Sequence, residues 1–268
     1  MFSRMPEPSN TLPDDTADEL RASGSAASRS LALLALLAAE GRALSLAELA
    51  LRLSLPKATT HRLCTLLIDG GYITRGVNER EFAVGPGLRQ LALDTLNHGT
   101  VRGLRHDVLA ELVREVGETC NFTTLDGASV LYLDRVEAPW PWRLSLDVGA
   151  HVPLHCTASG KLFLAFMPAR QRRTLVAGLS LTRMTERTRV TVPALEAECK
   201  EIAQRGYSLD DEEFITGLVA LAVPVRDAQG AVRAALAVHA PKARLSIAAA
   251  QERLPAMLAA AQRMRGLL

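Results

Sequence analysis

The spacing of apolar residues predicts three short helices near the start of the chain. Leucines are dense over residues 26–39, and Gly41 then supplies a helix stop. Residues 45–48 form a capping-box sequence, in which Ser45 and Glu48 each accept from the other's backbone amide. The helix that begins there runs through Leu53. A third helix is predicted over residues 56–69, before a pair of glycines.

Two short apolar runs follow, residues 72–75 and 81–84, and the polar loop between them predicts a β-hairpin. Three helices followed by a hairpin is the order of a winged helix-turn-helix, which docks its third helix in the DNA major groove. Thr60, Leu63 and Leu67 share one face of that helix and are predicted to be buried. The predicted DNA-binding residues lie on its other face and in the wing: Lys57, Thr59, His61, Arg62, Thr65, Arg75 and Arg80.

The remaining chain predicts a second domain of α+β class. Helices are predicted over residues 86–100 (a linker), 105–116, 157–167, 193–206 and 247–267, the last broken or kinked at Pro255. Strands are predicted over residues 122–125, 130–135, 143–148, 218–225 and 231–239, mostly as hairpins, so the sheet is expected to be mainly antiparallel. The expected division is a disordered polar leader (1–24), the winged domain (25–85), the linker helix (86–100) and the second domain (101–268).

Composition narrows the class of protein. The chain has 268 residues, of which 48% are hydrophobic and 22% charged, as in a globular protein with a sizeable core. Its longest apolar run has nine residues, whereas a membrane-spanning helix needs roughly 20, so no membrane association is expected. Four scattered cysteines without a CxxC motif indicate reduced thiols in a cytoplasmic protein. The net charge of +2 does not by itself indicate nucleic-acid binding, which rests on the local pattern.

Several segments, in order and at suitable separations, resemble the IclR family of bacterial transcriptional regulators. In the winged domain these are Ser-Leu-Ala-Glu-Leu-Ala at 45–50, Leu-Pro-Lys-Ala-Thr-Thr-His-Arg-Leu at 55–63 and Gly-Tyr at 71–72. In the second domain they are residues 149–161, 205–214 and 222–227. The resemblance implies an operator-binding winged domain and an effector-binding second domain, assembled as a homodimer or homotetramer. It also implies a small organic effector, often a carboxylic or aromatic acid of a catabolic pathway.

The resemblance further implies an effector pocket at Thr157, Ala158, Ser159, Gly160 and Asp210. The small residues at 157–160 begin a helix, and helix N-termini present free amides that bind carboxylates. The family pattern has a Cys and two Ser at three further pocket positions, where this chain has Ala220, Ala237 and His239. These replacements favour a larger, more apolar or aromatic acid over a very small polar one, with His239 hydrogen-bonding its far end.

Three other interpretations stay open at this point. His155 and Cys156 suggest a base and a nucleophile, although neighbours in a strand face opposite sides, and common catalytic motifs are missing. His151, His155 and Cys156 suggest zinc, although Pro153 prevents the helix that would bring the two histidines together. A helix-turn-helix can also serve as a protein-interaction module that does not bind DNA. The favoured prediction is a regulator that is not an enzyme and uses no cofactor or metal.

Overall fold

The computed structural model describes residues 24–76, 78–96, 99–141 and 146–267. The leader predicted for residues 1–24 lies outside the described residues, apart from Gly24. The chain divides into two compact units between Asp94 and Thr95, and each is considered by itself. Among the helices of the described ranges, none combines the length and apolarity needed to span a bilayer.

The first unit is a winged helix-turn-helix. Its helices are α1 (Ala26–Glu40), α2 (Leu46–Arg52) and α3 (Lys57–Asp69), followed by α4 (Pro86–Leu96). Its strands β1 (Leu44–Ser45), β2 (Ile73–Arg75) and β3 (Glu81–Val84) form an antiparallel sheet in the order β1-β3-β2. The predicted hairpin is confirmed, and β1 adds a strand that the sequence did not indicate.

Local chemistry places the helices of this unit as predicted. The Glu48 amide donates to Ser45 Oγ at 3.2 Å, and the Ser45 amide donates to Glu48 Oε2 at 2.8 Å, which completes the capping box. Gly41 ends α1 with a positive φ of 61°, a conformation that glycine adopts without strain. Apolar side chains from the three helices and the wing meet in one core: Leu33, Leu37, Leu49, Leu63, Leu67 and Phe82.

The second unit is a six-stranded antiparallel sheet with helices on it. The strands are β4 (Thr119–Asp126), β5 (Ser129–Val136), β6 (His151–Pro153), β7 (Ser208–Asp211), β8 (Leu218–Arg226) and β9 (Val232–Pro241). Their order is β6-β5-β4-β9-β8-β7. The helices are α5 (Gly99–Val116), α6 (Ala158–Phe166), α7 (Ala169–Ala177), α8 (Val192–Arg205), α9 (Ile247–Glu252) and α10 (Leu254–Met264).

The central strands are buried on both faces, which explains their nearly continuous apolar sequences. Helices α6 and α8 pack together, and α6 packs on β8 and β9. Helices α5 and α10 pack on each other, with α5 also on β4 and β5 and α10 on β8 and β9. The α+β class and the mainly antiparallel sheet are confirmed.

Several predicted boundaries were wrong. Helix α5 begins at Gly99, earlier than predicted and within the predicted linker range, and α7, β6 and β7 were not predicted. Of the strand predicted for residues 143–148, residues 143–145 lie outside the described residues, and the other three are not in a strand. The predicted break near Pro255 is confirmed: α9 and α10 are separated at Arg253, and Pro255 lies in the first turn of α10, where a missing amide costs nothing.

Candidate nucleic-acid interface and ligand cavity

Helix α3 separates buried and exposed side chains as its periodicity predicted. Thr60, Leu63 and Leu67 are buried, and the Thr60 hydroxyl donates to the Pro56 carbonyl at 3.2 Å. The predicted DNA-facing side chains lie on the opposite surface, where Thr59 is half-buried and the others are exposed: Lys57, His61, Arg62 and Thr65. The Thr65 hydroxyl donates to the His61 carbonyl at 3.1 Å, so it is already committed to the helix backbone.

The two wing arginines have different surroundings. Arg75 Nη1 donates to the Glu79 carbonyl at 2.8 Å, and its guanidinium lies 5.6 Å from the centre of the Phe82 ring. Arg75 therefore holds the hairpin loop in place. Arg80 is exposed in the loop itself, where a cation is free to approach a phosphate. The outer face of α3 and Arg80 form an exposed cationic and polar surface, called the reading face below.

A small cavity of about 30 Å³ lies between the start of α6 and the sheet of the second unit. It brings together seven of the eight predicted effector residues from four separate segments of the chain. Those seven are Thr157, Ala158, Ser159, Asp210, Ala220, Ala237 and His239.

Gly160, the eighth predicted residue, does not line the cavity. Its amide is taken by the Thr157 side chain, which accepts at 3.1 Å and caps α6. A Cβ at this position would lie 2.3 Å from the Leu154 carbonyl oxygen and 2.5 Å from the Leu154 Cα. Gly160 is therefore needed for the close approach of α6 to the Leu154 backbone, and the amides that face no intrahelical acceptor are those of Ala158 and Ser159.

Strand register aligns Asp210 and His239 on one side of the cavity. Asp210 pairs with Ala220 across β7 and β8, and Ala220 pairs with His239 across β8 and β9. Directly paired residues point to the same face of a sheet, and strands lie about 4.8 Å apart. Asp210 and His239 therefore stand two strands apart, with only the Ala220 methyl group between them, and this leaves the space that the cavity occupies.

Asp210 is a buried carboxyl whose ionisation is suppressed. Burial raises its pKa to about 7, and the Glu213 carboxylate adds to that rise. The Lys161 ammonium opposes the rise, as do the amides of Glu213 and Phe214, which donate to Asp210 Oδ1 at 2.7 and 3.3 Å. Near neutral pH the cavity thus contains an acid that exists in both protonation states.

A buried ionic cluster lies behind Asp210. Lys161 on α6 is fully buried and contacts both Glu213 and Glu198. Arg189 joins the same two carboxylates, with N–O distances of 2.6 Å to each. Glu198 is only 6% exposed, and these cations neutralise its buried charge.

His239 is buried and neutral. Burial lowers the pKa of its imidazole to about 3, and the nearby Arg135 guanidinium adds to the effect. Its Nδ1 lies 2.8 Å from the side-chain amide nitrogen of Asn121. The ring therefore contributes hydrogen bonding to the cavity and no positive charge.

Six cavity residues were not predicted: Asn121, Tyr132, Leu146, Val152, Phe214 and Leu218. Asn121 carried a signal, since it is a polar residue in a run that is otherwise buried. It pairs with Ala237 on the neighbouring strand, a contact between residues far apart in sequence. Burial raises the pKa of the Tyr132 phenol to about 12, so it stays protonated as a donor.

The geometry at Cys156 and the histidines does not support the catalytic or zinc interpretations. Burial raises the pKa of the Cys156 thiol to about 12, the opposite of an activated nucleophile. His155 Nε2 lies 2.9 Å from the Thr182 carbonyl, whereas His151 is bound to Asp126 at the other end of β6. Within the described ranges, no group of three or more His, Cys, Asp or Glu side chains is placed to hold a metal ion.

Comparisons with known proteins agree with both units. The family description "IclR helix-turn-helix domain" matches residues 26–76, and "Bacterial transcriptional regulator IclR C-terminal" matches residues 93–265. The chain is 42% identical to the probable transcriptional regulator SauR of Cupriavidus necator, over 84% of this chain and 89% of that protein.

Solved structures share the fold. The Thermotoga maritima IclR structure is 23% identical with a TM-score of 0.60, covering 89% of this chain and 96% of that one. The PobR inducer-binding domain from Acinetobacter, a double mutant in complex with 3-hydroxybenzoic acid, is 26% identical with a TM-score of 0.57. That likeness covers 61% of this chain and 96% of the PobR domain.

Proposed function

Because the chain belongs to the IclR family of DNA-binding transcriptional regulators, which are not enzymes, we propose that its DNA binding responds to a small organic acid. One observation carries the proposal: a cavity in the second unit joins small residues at a helix N-terminus to buried polar groups on the sheet. The amides of Ala158 and Ser159 suit a carboxylate, and the polar groups opposite suit the rest of the ligand.

The size of the cavity favours a small acid. About 30 Å³ has room for roughly two or three water molecules, since one water needs about 10–15 Å³. An aromatic acid requires outward movement of Leu146 or Phe214, which are both only partly buried. The preference for a larger or aromatic acid stays a prediction, and the size of the cavity supports a small aliphatic acid better.

The proposed DNA interface comprises the seven residues predicted from sequence, with distinct roles. Lys57, Arg62 and Arg80 present exposed cations, which suit phosphates or base edges. His61 on the exposed face of α3 and Thr59 at its half-buried margin add hydrogen-bonding groups. Arg75 and Thr65 act through the shape of the wing and helix, since their side chains already bind the backbone.

We also propose assembly as a homodimer or homotetramer. Leu31 on α1 and Leu91 on α4 are 66% and 53% exposed, and apolar side chains of this size favour burial against a second copy. A dimer also presents two reading helices to half-sites separated by whole turns of DNA. Light scattering at micromolar concentration checks this, and a monomer would contradict it.

The proposed function is tested by operator binding in the presence of acids. DNA fragments from around the gene are screened by gel shift over a salt series, because phosphate contacts give a steep salt dependence. Small aliphatic and aromatic acids are then added to the complex. A change in operator affinity with one class of acid supports the proposal. Binding without salt dependence, or with no response to any acid, contradicts it.

A further inference from the structure

One buried polar atom of the cavity lining has no hydrogen-bond partner within the described ranges: Nε2 of His239. The His239 side chain is 6% exposed, so solvent does not satisfy this atom. Buried polar groups are nearly always paired, so an unpaired atom that lines a cavity is positioned to hydrogen-bond a molecule bound there.

Two neighbouring side chains fix which ring nitrogen of His239 carries the proton. Arg135 Nη1 lies 3.1 Å from Asn121 Oδ1, and a guanidinium can only donate, so this oxygen is the acceptor. The other end of the Asn121 amide is then the NH₂ group, 2.8 Å from His239 Nδ1. Nδ1 must accept, and in the neutral ring the proton is on Nε2. His239 therefore presents an N–H donor to the cavity.

The sheet is built to hold this relay from Arg135 through Asn121 to His239. The pairing of β4 with β5 shifts between Phe122 and Thr123, so that Asn121 opposes Arg135 while Thr123 opposes Tyr132. The shift inserts one extra residue in β5 and turns Arg135 to the same side as Tyr132. Without it, residues three apart in a strand would face opposite sides.

The opposite end of the cavity suits a carboxylate. The amides of Ala158 and Ser159 lie at the N-terminus of α6, and among the described lining residues no side chain is cationic. The helix start is thus the strongest anion-binding group there. The Nε2–H of His239 can therefore donate to a different oxygen of the same ligand, across the gap left by the Ala220 methyl group.

We propose that the fixed Nε2–H of His239 selects acids that carry a second oxygen acceptor, a 2-oxo acid or a short dicarboxylate, over monocarboxylates of the same size. This inference rests on the proposed function of the cavity and adds its ligand class. Arg135 and Asn121 are positioning residues, since they act through His239.

Three acids with the same three-carbon chain test the inference: propionate has one carboxylate, pyruvate adds a ketone oxygen and malonate adds a second carboxylate. Calorimetry on the full chain is expected to show pyruvate or malonate binding about tenfold tighter than propionate, the value of one satisfied buried hydrogen bond. In His239→Phe, which keeps a ring and removes the donor, the ratio should fall to about one. The matched control His151→Phe, outside the cavity, should keep the wild-type ratio.

The relay has its own readout, which does not depend on any ligand. Nitrogen NMR of histidine-labelled protein should show His239 as the neutral Nε2–H tautomer between pH 6 and 8. Asn121→Leu should abolish that single tautomer and reduce the preference for pyruvate and malonate. This variant also keeps the test valid if His239→Phe fails to fold.

An Nδ1–H tautomer in wild type, or an unchanged ratio in His239→Phe, overturns the inference. So does equal or absent binding of pyruvate and malonate relative to propionate. If a monocarboxylate still shifts operator affinity in that case, the regulator proposal stands while the second-acceptor requirement falls. If no acid of any class shifts operator affinity, the proposed function itself fails.

Discussion

The reading face and the cavity use polar residues under opposite conditions. On α3 the side chains of Lys57 and Arg62 are exposed, so their charges are solvated and cost little to keep. In the cavity Asp210 and His239 are buried, and burial shifts the pKa of each towards its neutral form. The first surface attracts a polyanion through charge, whereas the second recognises one small molecule through fixed hydrogen bonds. Variants that change only one of these two regions should therefore separate DNA binding from ligand binding.

The largest expected effect is on the packing that forms the cavity. Gly160→Ala places a Cβ within 2.5 Å of the Leu154 backbone, and we expect a destabilisation of about 3 kcal/mol, at the upper end of overpacking costs. Gly103→Ala is the matched control, since it is also a helical glycine and an added Cβ there would meet no heavy atom within 4 Å. It should stabilise by about 0.5–1 kcal/mol. Urea unfolding measures both, and equal effects would refute the close contact.

Filling the cavity should remove ligand binding and leave DNA binding. Ala220→Val adds two methyl groups between Asp210 and His239, and a β-branched residue suits a strand. We expect at least a 100-fold loss of acid affinity by calorimetry, with operator affinity in the absence of acid within about twofold of wild type. Wild-type acid affinity in this variant would place the effector elsewhere.

Changing the reading face should have the opposite effect: DNA binding should weaken while ligand binding is unchanged. Arg62→Ala is expected to weaken operator binding by about 1–3 kcal/mol if Arg62 contacts a base, or to lower the salt dependence by about one phosphate contact. Acid affinity should not change, because Arg62 lies outside the cavity. Fluorescence anisotropy over a salt series measures operator affinity. Glu79→Ala, which removes an acidic side chain from the wing loop, is measured for comparison. Unchanged operator affinity in Arg62→Ala would remove it from the interface.

The smallest expected effect is on pH dependence. Because burial raises the pKa of Asp210 to about 7, the folded state keeps a proton that the unfolded chain releases near pH 4. Its contribution to stability is therefore largest below pH 4, falls as the pH rises to 7 and is constant above. His239 acts in the opposite direction, losing stability as the pH falls below 6.5, because its folded pKa is lowered to about 3.

The two contributions are separated by comparing wild type with Asp210→Asn. The stability difference between them should change across pH 4–7, in favour of Asp210→Asn as the pH rises. Acid affinity of the wild type should fall above pH 7, when Asp210 ionises beside the ligand carboxylate, and Asp210→Asn should lose that fall. Parallel pH profiles of the two proteins would show that the Asp210 carboxyl has an ordinary pKa.

The two regions also differ in how far sequence determines them. The reading face follows from helical periodicity within thirteen residues of α3, so its buried and exposed sides were predicted together. The cavity depends on strand order and register: Asn121 and His239 meet only because β4 pairs with β9. The periodicity of apolar residues in helices and strands does not show such long-range pairing. It also does not show that Gly160, which was predicted to line the cavity, lies against the Leu154 backbone.

Weak patterns account for the remaining errors. Strands β6 and β7 have three and four residues, too few for an alternation to be recognised. The burial of Glu198 could not be predicted either, because helical periodicity does not show the cations that surround its carboxylate. The seven cavity residues that were predicted came from resemblance to a family, whereas the relay through Arg135 required the structure.

The central claim is that occupation of the cavity in the second unit changes DNA binding by the first. The most direct test measures operator affinity by fluorescence anisotropy, with and without a saturating acid that binds the wild type, in wild type and in Ala220→Val. We expect the acid to change the operator affinity of the wild type. Ala220→Val should have the same affinity as wild type without acid, and the acid should not change it. An acid response of wild-type size in Ala220→Val would contradict the central claim.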